Sequence, residues 1–180
     1  MVSCALVLVL LAASVLPAAC GGSSASSPSR SPSPRAGEPV VMGFVFSWGV
    51  HQPKNVLDTI HGTFTKDMVL ASPLTVPFTL DSHDIASIAG RLVAIDFWSY
   101  PSCYDSQGHG PRFEPPAGMQ NTAVLTVVTD RGSKTVAWSG GYYASDSRAR
   151  ALRELAGSII RLIESEPDYE LLPSPEGGYL

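Results

Sequence analysis

The chain has 180 residues and a formal net charge of −4, and 16% of its residues are charged against 44% that are hydrophobic. This length leaves room for one domain of ordinary size and little more. The acidic balance excludes nucleic-acid binding through a basic surface, and the composition excludes a coiled coil, a repeat solenoid and a multi-span membrane protein.

The N-terminus carries the pattern of an export signal. Residues 5–16 form a run of twelve apolar or small residues, ALVLVLLAASVL. A helix that spans a membrane needs about 20 such residues, so this shorter run is typical of the apolar part of a secretory signal. Ala18 and Ala19 follow as the small residues of a cleavage site. The sequence therefore predicts a signal peptide over residues 1–19.

The residues around this site, LPAAC at positions 16–20, resemble the lipobox of bacterial lipoproteins. In that family the cysteine is lipidated and becomes the first residue of the mature chain, which implies that acyl chains on Cys20 anchor the protein to a membrane. The sequence departs from the family pattern because its leucine lies one place too far from the cysteine, and because residues 1–4 contain no Lys or Arg. An ordinary secretory signal, cleaved near Ala19, is the alternative.

A low-complexity segment separates this signal from the rest of the chain. Residues 21–39 contain seven Ser, four Pro and three Gly, and no apolar residue larger than alanine. Such a composition cannot form a core, so we predict that residues 20–39 are a lipidated cysteine followed by a disordered tether. The folded domain is then residues 40–180, which carry ten Lys or Arg and fifteen Asp or Glu. We expect it on the outer face of the cytoplasmic membrane.

The first part of this domain is rich in strand patterns. Apolar residues alternate from Met42 to Val50, which places them on one face of a half-buried strand. Pro73 and Pro77 assign a later strand to a sheet edge, because proline cannot donate to a central ladder. The predicted strands are residues 40–51, residues 55–61, a short strand within residues 63–67, and residues 74–80.

A helix follows these strands. Asp81 or Ser82 is its predicted N-cap, and Asp84 in the first turn suits the helix dipole. We expect it to end near residues 96–98 and to be followed by a long loop, because residues 99–119 hold four prolines and three glycines. The apolar stripe of this helix is formed by Ile85, Ile88, Ala89, Leu92 and Ile95.

The last part of the domain predicts a hairpin and a second helix. Residues 121–130 and 133–139 form the hairpin, with turn residues at Asp130-Arg131-Gly132 and a central strand at residues 124–128. The helix is predicted to begin at Ser145, Asp146 or Ser147 and to end before Pro167. Its buried stripe is predicted to be Leu152, Leu155, Ala156, Ile159, Leu162 and Ile163. The tail is expected to pack back on the domain through its apolar residues Leu171, Leu172, Tyr179 and Leu180.

This order of elements predicts an α+β fold, with a single antiparallel sheet and two helices packed on one face. Two stretches of the domain, KNVLDT at 54–59 with TFTKDM at 63–68, and LP at 172–173 with GGYL at 177–180, resemble uncharacterised secreted bacterial proteins. The order of elements alone is similar to that of emfourin-type protease inhibitors. These resemblances imply the fold and an extracytoplasmic location, and they leave the function open, because no inhibitory motif is found in the sequence.

The sequence contains none of the common catalytic patterns, such as G-x-S-x-G, S-x-x-K, H-E-x-x-H or a glycine-rich phosphate loop. The nearest candidate for nucleophilic catalysis is Cys103 with Asp105 and His109, because a cysteine needs a nearby histidine to hold it as the thiolate. Neither His51 nor His61 lies at metal-ligand spacing from these residues, so no metal and no cofactor are predicted. Cys103 has no intrachain partner once Cys20 is lipidated, and it is either buried or available for an intermolecular disulfide.

Two groups of residues are candidates for recognition. Residues 63–67 (TFTKD) are either a hairpin tip with cross-strand pairs or a polar recognition loop. Aromatic residues around the 99–119 and 139–146 loops either close the edge of the core or line a binding surface for an envelope or secreted protein. We therefore predict a non-catalytic binding or inhibitory module, with an envelope hydrolase or thiol enzyme as the alternative. The candidate surface residues are Trp98, Tyr100, Cys103, Tyr104, His109, Tyr142 and Tyr143.

Overall fold

The computed structural model describes residues 39–50, 54–104, 121–139 and 146–178. The predicted signal peptide, Cys20 and nearly all of the tether lie outside these residues. The described strands are β1 (Val41–Val50), β2 (Asn55–Asp58), β3 (Thr63–Lys66), β4 (Leu74–Pro77), β5 (Cys103–Tyr104), β6 (Asn121–Thr129) and β7 (Gly132–Ser139), and the described helices are α1 (Ser82–Ala94), α2 (Ser147–Glu164) and α3 (Pro167–Glu170).

The strands form one seven-stranded sheet in the order β4-β3-β2-β1-β6-β7-β5. All neighbouring strands are antiparallel except β5 and β7, which are parallel. Helices α1 and α2 contribute buried residues to the same core as this sheet. The fold is therefore a single α+β domain, as predicted, with the helices on one face of a mostly antiparallel sheet.

The core lies between this face of the sheet and the two long helices. A row of paired residues crosses five strands, and its members Val136, Leu125, Phe46, Leu57 and Phe64 are each fully buried. Each such side chain contributes about 1.5–3 kcal/mol on burial. The helices cover the row with Ile88 and Leu92 from α1 and with Leu152, Leu155, Ile159 and Ile163 from α2.

The predicted alternation in β1 is correct from Phe44 onward but wrong at Met42, which is 66% exposed. The pairing of β1 with β6 shifts by one residue between Val41 and Gly43, so the strand bulges at Met42. A bulge adds one residue to one strand and reverses which face the following positions occupy. For that reason Val41 packs against the core in place of Met42.

The predicted second strand is too long, because β2 ends at Asp58 instead of His61. Asp58 Oδ1 accepts hydrogen bonds from the backbone N–H groups of Ile60 (2.9 Å) and His61 (3.0 Å), which closes a turn. Gly62 completes it with a φ of 65°. The predicted strand at 74–80 likewise ends early, at Pro77, and it lies at the sheet edge as its prolines predicted.

Both helix starts are confirmed. Asp81 caps α1 by accepting the Asp84 N–H at 2.8 Å, and Asp146 caps α2. Helix α1 ends at Ala94, slightly earlier than predicted, because Asp96 turns the chain with a φ of 53° into a short 3-10 helix at Phe97–Ser99. Pro167 occupies the first turn of α3, three residues beyond the end of α2.

The tail packs on the domain only in part. Leu172 contacts the core, but Leu171 is 83% exposed, so that part of the prediction is wrong. Residues 179–180 lie outside the described residues. Strand β5 is a further correction, since residues 99–119 were predicted to be loop. Two residues are too few for a sequence period, and β5 exists because it pairs with β7, with the Ala137 N–H donating to Ser102 O at 2.8 Å.

Candidate functional site

The structure describes four of the predicted surface residues, Trp98, Tyr100, Cys103 and Tyr104, and brings them to the β5 edge of the sheet and the start of α2. The remaining three, His109, Tyr142 and Tyr143, lie outside the described residues. Asp105 and His51 lie outside them as well.

The carboxylate of Asp146 joins β5 to α2. Its Oδ2 accepts the phenol hydrogen of Tyr104 at 2.7 Å. Its Oδ1 accepts the backbone N–H groups of Arg148 at 2.8 Å and Ala149 at 3.2 Å, which caps the helix. One side chain therefore fixes both the first turn of α2 and the position of the edge strand.

Contacts between Arg148 and Tyr100 connect this N-cap to the core. The Arg148 guanidinium lies 4.1 Å from the centre of the Tyr100 ring and donates to Ser99 Oγ at 3.0 Å. Tyr100 is 2% exposed, and its hydroxyl donates to the Arg148 carbonyl oxygen at 3.1 Å. The structure thus places Tyr100 in the core, so of the two predicted alternatives it closes the edge of the core and does not line a binding surface. We call Ser99, Tyr100, Tyr104, Asp146 and Arg148 the tyrosine cluster.

The ionisation of the tyrosine cluster follows from its burial and hydrogen bonds. Burial raises the pKa of Tyr104 to about 12, and the hydrogen bond to Asp146 acts in the same direction. Burial also raises the pKa of Tyr100. The phenol hydrogen bond lowers the pKa of Asp146, and the helix N–H groups add to this effect. At neutral pH the cluster therefore holds neutral phenols around a charged carboxylate and a charged guanidinium.

Trp98 lies next to this cluster and is half-buried. Its ring packs edge-on against Phe97, with centroids 5.6 Å apart and an interplanar angle of 82°. Its Nε1 atom is buried and, within the described part of the chain, has no hydrogen-bond acceptor. Trp98 therefore contributes both to the edge of the core and to the surface beside it.

Cys103 is exposed and forms no disulfide with any described residue. It lies opposite Ala137 on the face of the sheet turned away from its neighbour Tyr104. Of the two described histidines, the His61 Nδ1 atom lies 2.7 Å from Asp58 Oδ2, and the His83 Nδ1 atom lies 3.7 Å from Asp84 Oδ1. A base for Cys103 would have to come from His51 or His109, outside the described residues.

Three internal segments begin and end at the same end of the sheet. Val50 lies opposite Asn121, and Thr122 lies opposite Ser139. Tyr104 pairs with Trp138 in the same region and reaches Asp146 through its hydroxyl. The ends of segments 51–53, 105–120 and 140–145 are thus held together; we call this region the loop end. The sequence analysis grouped the second and third of these segments in one candidate surface, but it missed segment 51–53, because its position depends on the pairing of β1 with β6.

Residues 63–67 are not a recognition loop, so that alternative is wrong. Thr63–Lys66 is the interior strand β3, where Thr65 and Thr75 share a hydrogen bond of 2.8 Å between their hydroxyls. The charged side chains that suggested recognition are buried, with Lys66 at 7% and Asp67 at 6% exposure. The Lys66 ammonium lies 4.4 Å from the centre of the Tyr169 ring.

Two polar features lie on the helices. A groove of about 260 Å³ between α1 and α2 contains Arg91 and Arg161, but Ser158 and Ser165 in its wall already donate to carbonyl oxygens of their own helix. At the start of α1, possible ligand atoms of Asp81, His83 and Asp84 lie within 4.8 Å of one another. Asp81 uses its carboxylate as the helix cap.

No family model, curated protein or solved structure was found to match the chain. The likenesses to bacterial lipoproteins, uncharacterised secreted proteins and emfourin-type inhibitors therefore stay predictions. Within the described ranges, no helix combines the length and the apolar character needed to cross a membrane.

Proposed function

We propose that this protein is a non-catalytic binding module that lipid on Cys20 tethers to the outer face of the cytoplasmic membrane. Its working surface is the loop end of the sheet together with Trp98 and Cys103. The partner is an envelope or secreted protein, bound without a cofactor or metal.

The observation that carries this proposal is the hydrogen bond between Tyr104 and Asp146. Tyr104 is the last described residue before segment 105–120, and Asp146 is the first after segment 140–145. Their 2.7 Å contact gives both segments a common rigid base. Binding residues are often carried by loops that a rigid scaffold positions, and the predicted surface residues His109, Tyr142 and Tyr143 belong to these two segments.

The chemistry of the region supports binding more than catalysis. The polar groups of the tyrosine cluster are used in its own hydrogen bonds, and these hold the base in place. Aromatic side chains dominate the energetics of many protein interfaces, and Trp98, Tyr142 and Tyr143 supply three of them. The apolar export signal and Cys20 support the location, because acyl chains on a cysteine give stable anchoring.

The proposal is tested by capture with the full-length protein. A C-terminally tagged chain is isolated from the membranes of its source cells, and the retained proteins are identified by mass spectrometry. We expect one protein in nearly equal amount. Trp98→Ala and Tyr142→Ala should each reduce its retention at least tenfold, whereas Leu171→Ala, which changes an exposed apolar residue, should not. Equal retention by all variants, or no retained protein, would contradict the proposal.

The thiol enzyme is the second candidate, favoured by the exposure of Cys103. It predicts that a measured activity is lost in Cys103→Ala and kept in Trp98→Ala. The pH dependence of the alkylation rate of Cys103 tests this candidate directly. A thiolate that is paired with a histidine is alkylated rapidly at pH values well below the ordinary thiol pKa of about 8.5. A rate that follows an ordinary thiol would contradict the enzyme.

A further inference from the structure

The groove between α1 and α2 has a volume of about 260 Å³. Ile88 and Leu162 supply its apolar residues, and Arg91 and Arg161 bring two guanidinium groups to it. Pockets for drug-sized ligands begin at about 300 Å³, so a ligand that fits this groove is smaller. On α2 the groove begins about 18 Å along the helix from the N-cap Asp146. It is therefore separate from the loop end.

The two helices that form the groove cross the sheet in opposite directions. Helix α1 lies between β4 and β5 in the chain, and these two strands form opposite edges of the sheet. Helix α2 starts at the β5 edge, where Asp146 contacts Tyr104. It leads to α3, where the rings of Tyr169 and of Phe64 in β3 have their centres 5.8 Å apart. The helix pair is therefore antiparallel.

This antiparallel arrangement separates the charges of the groove. Arg91 lies level with Ser158 at one end, and Asp84 lies at the other end, about 10 Å away along α1. The Nη1 atom of Arg161 lies beside Gly157, the neighbour of Ser158 in the chain. Both arginines thus belong to the same end, so the groove has a cationic end and an acidic end.

The guanidinium groups of Arg91 and Arg161 are unpaired within the described part of the chain, where neither forms an ion pair or a hydrogen bond. A cation in the last turn of a helix commonly offsets the dipole at the C-terminus. Arg161 lies in the last turn of α2, but its Nη1 atom lies one turn back, beside Gly157, and so away from the C-terminal carbonyl groups. The helix dipole therefore does not account for its position.

Gly157 makes room for this guanidinium. A Cβ atom at position 157 would lie 3.3 Å from Arg161 Nη1, closer than an ordinary van der Waals contact. Glycine inside a helix costs stability relative to alanine, because it loses more backbone freedom on folding. Position 157 lies in the interior of α2. The glycine therefore weakens the helix and, at the same position, seats the side chain of Arg161 in the groove.

We propose that this groove binds a small phosphate ester of a polar alcohol. An arginine holds a phosphate through two parallel hydrogen bonds, and two arginines match the charge of a phosphate dianion. The groove carries Arg91 and Arg161 against Asp84 alone, whereas the whole chain has a net charge of −4, so the groove is an electropositive site on an acidic protein.

The acidic end of the groove defines the rest of the ligand. The Asp84 carboxylate accepts hydrogen bonds from hydroxyl groups and repels a second anionic group. The ligand is therefore a phosphate with a neutral, hydroxyl-bearing part. Free polyol phosphates and the glycerol headgroups of phospholipids share this chemistry.

The proposal is tested by phosphorus NMR on the full-length protein in a neutral detergent at constant ionic strength. The probes are inorganic phosphate, glycerol 3-phosphate and micelles that contain phosphatidylglycerol. We expect saturable binding at one site, with glycerol 3-phosphate bound most tightly if the ligand is a soluble ester and phosphatidylglycerol if it is a lipid headgroup. Arg91→Gln and Arg161→Gln should each weaken binding by about fivefold or more. Arg150→Gln, which removes an exposed arginine of α2 outside the groove, should leave binding unchanged.

A Gly157→Ala variant tests the seat of Arg161. Alanine favours the helix, so the thermal unfolding midpoint, followed by circular dichroism, should stay level or rise. The new Cβ atom displaces the guanidinium, so phosphate binding should weaken by about threefold or more. Absence of saturable binding for all three probes, or wild-type affinity in Arg91→Gln and Arg161→Gln, would overturn the phosphate site. Wild-type affinity in Gly157→Ala would overturn the role of Gly157.

Discussion

The hydroxyl of Tyr104 donates a 2.7 Å hydrogen bond to Asp146, 42 positions further along the chain. This contact holds a two-residue edge strand against the first turn of a long helix. It also joins the residue that precedes segment 105–120 to the residue that follows segment 140–145. The proposed binding surface rests on this pair.

Removal of the Tyr104 hydroxyl should destabilise the domain. Tyr104→Phe loses a hydrogen bond to a charged acceptor in a half-buried site, and we expect the free energy of unfolding at pH 7 to fall by about 1.5 kcal/mol. Urea unfolding followed by circular dichroism measures this. Tyr169→Phe is the matched control, because no described residue bonds the Tyr169 hydroxyl, and it should change stability by less than about 0.5 kcal/mol.

The same variant should respond differently to alkaline pH. The pKa of Tyr104 is raised to about 12 in the folded protein, above the ordinary value of 10.0. Its contribution to stability is therefore fully present below pH 10 and is lost as pH rises toward 12. The difference in unfolding free energy between wild type and Tyr104→Phe should shrink over this range. A difference in unfolding free energy that stays constant between pH 10 and pH 12 would contradict the raised pKa of Tyr104.

The charge of Asp146 should matter at neutral pH and not in acid. Asp146→Asn keeps an oxygen that caps α2 but loses the carboxylate that Tyr104 and Arg148 surround, so stability at pH 7 should fall by about 1 kcal/mol. The pKa of Asp146 is lowered below 3.8 in the folded state. Its contribution is therefore present above pH 3.8 and disappears as pH falls through the lower folded value. Urea titrations at pH 7 and in acid should give a difference that vanishes in acid.

The bulge in β1 predicts a specific coupling between Gly43 and Ile60. A Cβ atom at Gly43 would overlap Ile60 Cδ1 and would lie 3.0 Å from Thr59 Oγ1. We expect Gly43→Ala to cost about 1–2 kcal/mol, and Ile60→Ala to cost less because Ile60 is 45% exposed. The free energy of unfolding that the double variant loses should be about 1 kcal/mol smaller than the sum of the losses in the two single variants. Strict additivity in thermal or urea unfolding would show that the overlap is not the cause.

The parts of the fold that the sequence predicted are those that carry a continuous local pattern. The alternation in β1 and the apolar stripes of α1 and α2 arise within one element, and Asp81 and Asp146 cap their helices through adjacent N–H groups. The bulge at Met42 and the strand β5 have no such local signal, because both depend on a partner strand.

The candidate site was harder to predict for the same reason. The aromatic residues near 100 suggested either a core edge or a binding surface, and no local spacing separates these alternatives. Tyr100 is a core residue because Arg148, 48 positions away, accepts its hydroxyl hydrogen and covers its ring. Cys103 and Tyr104 are neighbours in sequence, yet β5 sends them to opposite faces of the sheet.

The most direct test of the proposed surface is the amount of partner protein that a Tyr104→Phe chain retains, relative to wild type, in the membrane capture. Asp58→Asn is the control. It removes the charge of a carboxylate that closes the turn after β2, and this turn lies at the end of the sheet opposite the loop end. If the Tyr104–Asp146 contact unites the two segments into one surface, retention falls at least fivefold in Tyr104→Phe and stays near the wild-type level in Asp58→Asn. Wild-type retention by Tyr104→Phe would contradict the loop end as the binding surface.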